Sequence, residues 1–277
     1  MSRAEHREKL ASAFDKASEG YDLPALRFFA DSARHMVSDM LLQGGERLLD
    51  AATGTGHVAI AAAKALPGGS VVGIDISDGM LARARAKANS LGLGNISFER
   101  RDLEDTGFPD DTFDIASCAF GIFFLPDMSR GLNCILRVVK PGGMIYLTSF
   151  CSGLMEPMRG MLLARLKELG VEPPEFSSRL DTPEKLTALL SSAGCRNVGV
   201  RSRQTGYHIK DAQEWLGILT NTAFGGPLNR LPEDDRERII EEHLKEVDSL
   251  RGKDGIRLDI EVLFAQAEKS VACSSSS

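Results

Sequence analysis

Leu48-Leu49-Asp50-Ala51-Ala52-Thr53-Gly54-Thr55-Gly56-His57-Val58 opens on an apolar run, closes it with an acid, turns through two glycines and continues into an alanine-rich segment. That order predicts a strand, a tight loop and the start of a helix. Glycines at alternate positions let the backbone approach a ligand where a Cβ would collide, and the first N–H groups of the helix lack intrahelical partners. The stretch therefore predicts a small cofactor gripped at a strand-to-helix turn.

Asp50 bears on which cofactor. Gly54-x-Gly56-x-x-Ala59 satisfies the dinucleotide fingerprint, and Asp75 lies about 20 residues on, where such a fold keeps its ribose acid. A pyrophosphate, however, needs positive potential and close backbone donors, and a carboxylate four residues before the first glycine sits badly beside it. A ligand with an ammonium group gains from the same carboxylate. S-adenosylmethionine carries an α-amino group, a carboxylate, a ribose and an adenine, with no phosphate, and suits the loop better. An NAD-dependent oxidoreductase stays open as an alternative that leaves Asp50, Asp102 and Pro141-Gly142-Gly143 without roles. So does an adenosylmethionine-binding protein with non-methylating chemistry.

Outward from this turn, apolar strands alternate with helices. Strands are predicted at Arg47–Ala51, Ser70–Ile74, Ile96–Glu99, Phe113–Ser117 and Met144–Ser149, with helices around 57–66, 78–91 and 127–139. Such alternation builds a parallel sheet covered on both faces, with ligands at the carboxyl ends of its strands. Asp50, Asp75, Asp102 and Ala119 fall at or just past those ends. Later strands are predicted near Val198–Arg203 and Arg257–Ala265, giving an α/β, doubly wound, mostly parallel seven-stranded sheet. The expected organisation is an N-terminal helical cap over 1–43 and a cofactor-binding core over 44–205 with a helical insertion near 152–178. A helical lid over 206–254, the last core strand over 255–268 and a flexible tail over 269–277 complete it. In the cap, the Gly20-Tyr21 break either packs with the helices on the core or folds over the cofactor pocket.

Composition narrows the function classes. The 277 residues carry a net charge of -6 and 43% hydrophobic residues, enough for a large core, and lack any Lys/Arg-rich run, which argues against nucleic-acid binding. No apolar run reaches the roughly 18 residues that span a bilayer, and the charged opening is no secretory signal, so a cytoplasmic location is expected. Cys118, Cys134, Cys151, Cys195 and Cys273 form no CxxC pair and no metal spacing, and are read as reduced thiols; no metal site is expected. Oligomeric state is left open, a homodimer being compatible with the sequence.

With these elements in place, the chain resembles the class I S-adenosylmethionine-dependent methyltransferases, and within them the ubiquinone and menaquinone C-methyltransferase branch. The motifs that carry the resemblance are Phe14–Asp22, Asp50-Ala51-Ala52-Thr53-Gly54-Thr55-Gly56, Gly73–Leu81, Arg101–Asp105 with Phe108–Asp114, and Arg137–Gly143. Ala52 stands where many other class I enzymes have glycine. The resemblance implies a Rossmann-like methyltransferase fold and cofactor contacts from Tyr21, Asp50, Ala51, Thr53, Gly54, Gly56, Asp75, Ile76, Met80, Asp102, Leu103, Ala119 and Phe120. Asp75 would accept from the ribose hydroxyls and Asp102 from the adenine amine, with Leu103 on the ring. Asp50 and the Ala119 carbonyl would serve the methionine ammonium, Phe120 would wall the sulfonium with cation–π attraction of roughly 0.5–2 kcal/mol, and Tyr21 would reach the cofactor carboxylate.

Methyl transfer from a sulfonium is a direct displacement, so the fold chiefly has to hold the nucleophile about 3 Å from the methyl carbon and in line with sulfur. A phenol or carbon nucleophile also gains from proton removal, and His208 is the first candidate base. His57 is read as cofactor-proximal or solvent-facing, His6 and His35 as residues of the N-terminal helices, and His243 as part of a solvated helical face. The pocket roof is expected from Met155, Met158, Met161, Trp215, Leu216, Leu219 and Phe224, which would favour O- or C-methylation of a small apolar or aromatic acceptor.

Overall fold

A computed structural model of the chain describes residues 2–172 and 175–271. The predicted interruption at Pro173-Pro174 and the tail from residue 272, with Cys273, lie outside the described residues. The N-terminal layer is α1 (Arg3–Ala17), a 3-10 turn at Pro24–Leu26 and α2 (Phe28–Asp39). α1 starts on a capping box, in which the Ser2 hydroxyl accepts from Glu5 N and the Glu5 carboxylate accepts from Ser2 N. α2 buries Phe28, Phe29, Ala33 and Met36 on one face against the core, each large side chain contributing about 1.5–3 kcal/mol.

The core then alternates as β1 (Arg47–Ala51), α3 (His57–Ala65), β2 (Ser70–Asp75), α4 (Asp78–Ser90), β3 (Ile96–Arg100), β4 (Phe113–Ala119), α5 (Met128–Val138) and β5 (Val139–Phe150). After β5 come α6 (Met158–Glu168), α7 (Pro183–Ser192) and β6 (Arg196–Gln204). The segment expected as a lid contains β7 (Tyr207–Ile209), α8 (Ala212–Thr220), a 3-10 stretch at Ala223–Arg230 and α9 (Glu233–Ser249), and is followed by β8 (Ile256–Leu258) and β9 (Glu261–Glu268). Thr182 caps α7 with Pro183 in the first turn, and Ser77 caps α4.

The main sheet has seven strands in the order β3-β2-β1-β4-β5-β9-β6. β1 pairs in parallel with β2 and β4, β2 with β3, and β4 with β5, whereas β9 runs antiparallel between β5 and β6. The chain winds outward in both directions from β1 and β4, so their carboxyl ends leave a crevice between diverging connections. The seven-stranded, doubly wound sheet was legible in the strand pattern. One boundary differs: the strand expected over Arg257–Ala265 is two, because Asp259 and Ile260 turn the chain between β8 and β9. β8 pairs with β7 in a separate two-stranded ribbon. No helix among the described residues is long and apolar enough to cross a membrane.

Candidate cofactor and methyl-transfer site

The quoted stretch forms β1, the glycine turn and the N-terminus of α3. Gly54 and Gly56 take φ of 55° and 85°, and Gly56 N donates to the Thr53 carbonyl at 2.9 Å, closing the turn. Ala52 also takes positive φ, 55°, as does Phe120 across the crevice at 54°. For residues with a Cβ this backbone costs of order 1–3 kcal/mol, and such strain collects at ligand-binding positions. The two loops meet because residue 121 is glycine: a Cβ there would stand 2.5 Å from the Ala52 Cβ.

Asp50 is buried at the end of β1 and accepts three hydrogen bonds, from Thr53 Oγ1 (2.6 Å), Ser117 Oγ (2.7 Å) and Ala59 N (3.1 Å). Burial pushes its carboxyl up to about 6, against the lowering effect of the Thr53, Ser117 and Ala59 donors. Asp75 closes β2 and accepts from Gly54 N (2.8 Å) and Ser77 N (3.0 Å), one on each oxygen. Burial again raises its pKa, opposed by those backbone donors. Each oxygen keeps a lone pair for a further donor.

These residues open on a cleft of about 820 Å³ at the carboxyl edge of the sheet. Its lining brings together Tyr21, Gly54, Asp75, Ile76, Met80, Asp102, Leu103, Ala119 and Phe120. A smaller cavity of about 370 Å³ adjoins it, and Tyr21, Asp50, Thr53, Gly54, Ala119 and Phe120 line that one. Asp75 and Asp102 lie along the larger cleft and Asp50 along the smaller cavity. Ala51 and Gly56 line neither: Ala51 is buried within β1 opposite Ile74, and Gly56 is the left-handed N-cap of α3. They shape the turn without facing the space.

The cleft's outer wall comes from α1, of which the sequence motifs included only the end from Phe14. Arg3, His6, Arg7, Leu10 and Phe14 recur at helical spacing and all face it. Arg7 Nη1 donates to Asp102 Oδ2 at 3.1 Å, and His6 Nε2 donates to the Phe124 carbonyl at 3.0 Å. At the other end of α1, Asp15 Oδ1 accepts from Ser77 Oγ (2.6 Å) and Gly79 N (2.9 Å), fixing α1 on the start of α4. For Arg3, His6, Arg7 and Leu10 the signal in the sequence was this spacing within a mostly charged helix. The Gly20-Tyr21 break folds over the pocket, and the Tyr21 ring stacks on Phe29 at 4.7 Å.

Two side-chain expectations are corrected. His208 is exposed on β7, where its carbonyl accepts from Arg27 Nη2 at 3.1 Å and its strand partner is Arg257. It lines neither cavity, because the ribbon of β7 and β8 carries it away from the sheet edge. His208→Ala is accordingly expected to keep kcat within about twofold, as an exposed substitution does; a large loss of kcat at unchanged stability would contradict its placement. His243 lies in the interior of the lid, 1% exposed, and accepts from Trp215 Nε1 at 2.9 Å. Burial lowers its pKa to about 4, so it stays neutral near pH 7. Trp215, Met155 and Met158 are likewise fully buried in the hydrophobic core and line neither cavity, while Phe224 reaches Phe150.

A family model described as a methyltransferase domain matches residues 48–143. The ubiquinone/menaquinone biosynthesis C-methyltransferase UbiE of Geobacter sulfurreducens is 34% identical over 218 residues, which span 72% of this chain and 85% of that protein. The chain belongs to the class I S-adenosylmethionine-dependent methyltransferases. The aklanonic acid methyltransferase DauC of a Streptomyces species is 35% identical to it over 150 residues, 54% of this chain and 68% of that protein. In fold, the methyltransferase superposes on a SAM dependent methyltransferase from Aquifex aeolicus with a TM-score of 0.55 at 23% identity, covering 68% of this chain and 90% of that one.

The residues present fit the methyl donor, S-adenosylmethionine. A Cβ at Gly54 would meet nothing within 4 Å, so the loop's open side faces the cleft, and the buried carboxylates of Asp50 and Asp75 have no cationic partner among the described residues. Bound there, adenosylmethionine supplies the methyl group on a sulfonium.

Proposed function

We propose that the enzyme methylates O or C of a small flat, aromatic or apolar metabolite. The observation that carries this reading is a closed circuit of eight aromatic rings, five of which, Phe14, Tyr21, Phe29, Phe120 and Phe124, line one or both of the two cavities. Phe14 meets Phe124 at 5.3 Å between centroids, Phe124 meets Phe176 at 4.9 Å, and Phe176 meets Phe224 at 6.3 Å. Phe224 meets Phe150 at 5.7 Å, Phe150 stacks on Phe120 at 4.4 Å, and Phe120 meets Phe29 at 5.5 Å. Phe29 stacks on Tyr21, and Tyr21 returns to Phe14 at 6.5 Å.

Four of these rings, Phe14, Tyr21, Phe120 and Phe124, face the larger cleft. Their faces carry negative potential and attract a sulfonium, while their area favours a flat acceptor stacked or edge-on. In this proposal Asp75 holds the ribose hydroxyls, Asp102 the adenine amine, and Asp50 with the Ala119 carbonyl the ammonium. Tyr21 remains a phenol, its pKa raised by burial and then by the Asp75 and Asp22 carboxylates, so its hydroxyl donates toward the cofactor carboxylate. The residues thereby orient the donor and exclude water, and proximity supplies the largest part of the rate. The relatives, a ubiquinone/menaquinone biosynthesis C-methyltransferase and an aklanonic acid methyltransferase, agree with such an acceptor. A cytoplasmic location and independence from nucleic acid belong to the same proposal, resting on the acidic net charge of -6.

The test is transfer of an isotope-labelled methyl from S-adenosylmethionine across phenols, quinone precursors, β-dicarbonyl compounds and amines, read by mass. Gain of one labelled methyl by a phenolic or carbon acceptor is expected. Methylation confined to amines would overturn the acceptor class.

A further inference from the structure

One carboxylate outside the cofactor contacts joins four segments of the chain. Asp22, next to Tyr21, accepts on Oδ1 from Thr55 Oγ1 (2.8 Å), Lys87 Nζ (2.9 Å) and His57 Nε2 (2.9 Å). Lys87 Nζ also donates to Thr55 Oγ1 at 3.0 Å. Thr55 belongs to the glycine turn, His57 opens α3 and Lys87 lies on α4. An ordinary exposed ion pair contributes about 0–1 kcal/mol. This one is a convergent network, and Thr55 within it is 1% exposed. Thr55 and His57 themselves line the methionine-side cavity, as Tyr21 does. Meanwhile the Tyr21 hydroxyl has no hydrogen-bond partner among the described residues, so its ring is placed by stacking on Phe29 and by the loop that carries it.

We propose that Asp22 is a positioning residue for cofactor binding: it ties the loop carrying Tyr21 to the glycine turn, so that the Tyr21 hydroxyl is held against the methionine end. This rests on the reading that Tyr21 contacts the cofactor. Without the tie, the Gly20–Pro24 loop gains conformational freedom that binding must remove again, which lowers affinity without altering any contact group. The effect is specific to the cofactor and travels through Tyr21.

The test is calorimetric titration of S-adenosylhomocysteine into the wild-type protein, Asp22→Asn, Asp22→Glu, Tyr21→Ala and the Asp22→Asn/Tyr21→Ala pair, with thermal melts confirming folding. Asp22→Asn is expected to weaken binding about 10- to 100-fold, the range for loss of charge-assisted hydrogen bonds, and Asp22→Glu to recover part of it. In the Tyr21→Ala background the same change is expected to cost less than about threefold, the mark of residues acting through one another. Should Asp22→Asn fail to fold because Lys87 is left unpaired, Asp22→Asn/Lys87→Met carries the same comparison. Affinity within about twofold of wild type, or a penalty undiminished without Tyr21, overturns the proposal. Wild-type affinity in Tyr21→Ala itself instead overturns the placement of Tyr21 on which the proposal rests.

Discussion

Asp75→Ala is expected to weaken S-adenosylhomocysteine binding by roughly 100- to 20,000-fold, the loss of two charge-assisted hydrogen bonds at about 1.5–3 kcal/mol each. The carboxylate sits at the end of β2, holds the turn through Gly54 N and presents both oxygens to the cleft. Its removal relieves a desolvated charge but leaves Gly54 N and Ser77 N without their acceptor, so a partly offset loss of stability is expected beside the loss of affinity. Asp75→Asn separates the two contributions, because the amide keeps the shape and one acceptor while losing the charge. Calorimetry beside a thermal melt checks this; unchanged affinity in a folded Asp75→Ala protein would remove Asp75 from the site.

Asp50→Asn should act through charge rather than shape. Asn can still accept from Thr53 and Ala59, and the Ser117 hydroxyl can turn to accept from the amide, so the turn survives. The pH dependence has a definite sign. The folded pKa of Asp50, about 6, lies above its ordinary value of 3.8, so this group's stabilisation is fully present below about 4 and is lost as pH rises through about 6. Melts of the cofactor-free enzyme should show this loss across about pH 4–6, and Asp50→Asn should lack it. Cofactor affinity runs the other way: an ammonium favours the ionised carboxylate, so wild-type binding should weaken as pH falls through about 6. Asp50→Asn should bind about 10- to 100-fold more weakly at pH 8 and show no such slope. A slope identical in the two proteins would assign the titration to another group.

How much of this was legible in the sequence follows from what each signal encodes. Strand period, glycine spacing and the acids at strand ends are local, and they placed the sheet, the turn and the Asp50, Asp75 and Asp102 series. His208 was misplaced because its chemistry was visible and its surroundings were not: pairing of β7 with β8 joins segments about 50 residues apart. His243 read as solvated because α9 is rich in charge, yet its buried stripe Ile239, His243 and Val247 faces the lid core. The α1 wall was hidden for the same reason, its cleft-facing side mixing Arg3, His6 and Arg7 with Leu10 and Phe14. The circuit of aromatic rings draws on seven separate parts of the chain and has no local pattern.

The same geometry explains why specificity is written far from the glycine turn. In the proposed reading the turn and its acids recognise a donor shared across the family, whereas Phe176 and Phe224 come from segments after β5, outside residues 48–143. Changes there should alter the acceptor without altering the donor.

A crystal structure with S-adenosylhomocysteine is the sharpest test that the cleft between α1 and the carboxyl edge of the sheet is the methyl-donor site. Ribose hydroxyls on Asp75, adenine between Asp102 and Leu103, and sulfur facing the Tyr21 and Phe120 rings are expected. Nucleoside density away from Asp75, or the homocysteine end directed toward Arg7 and Asp102, would contradict it.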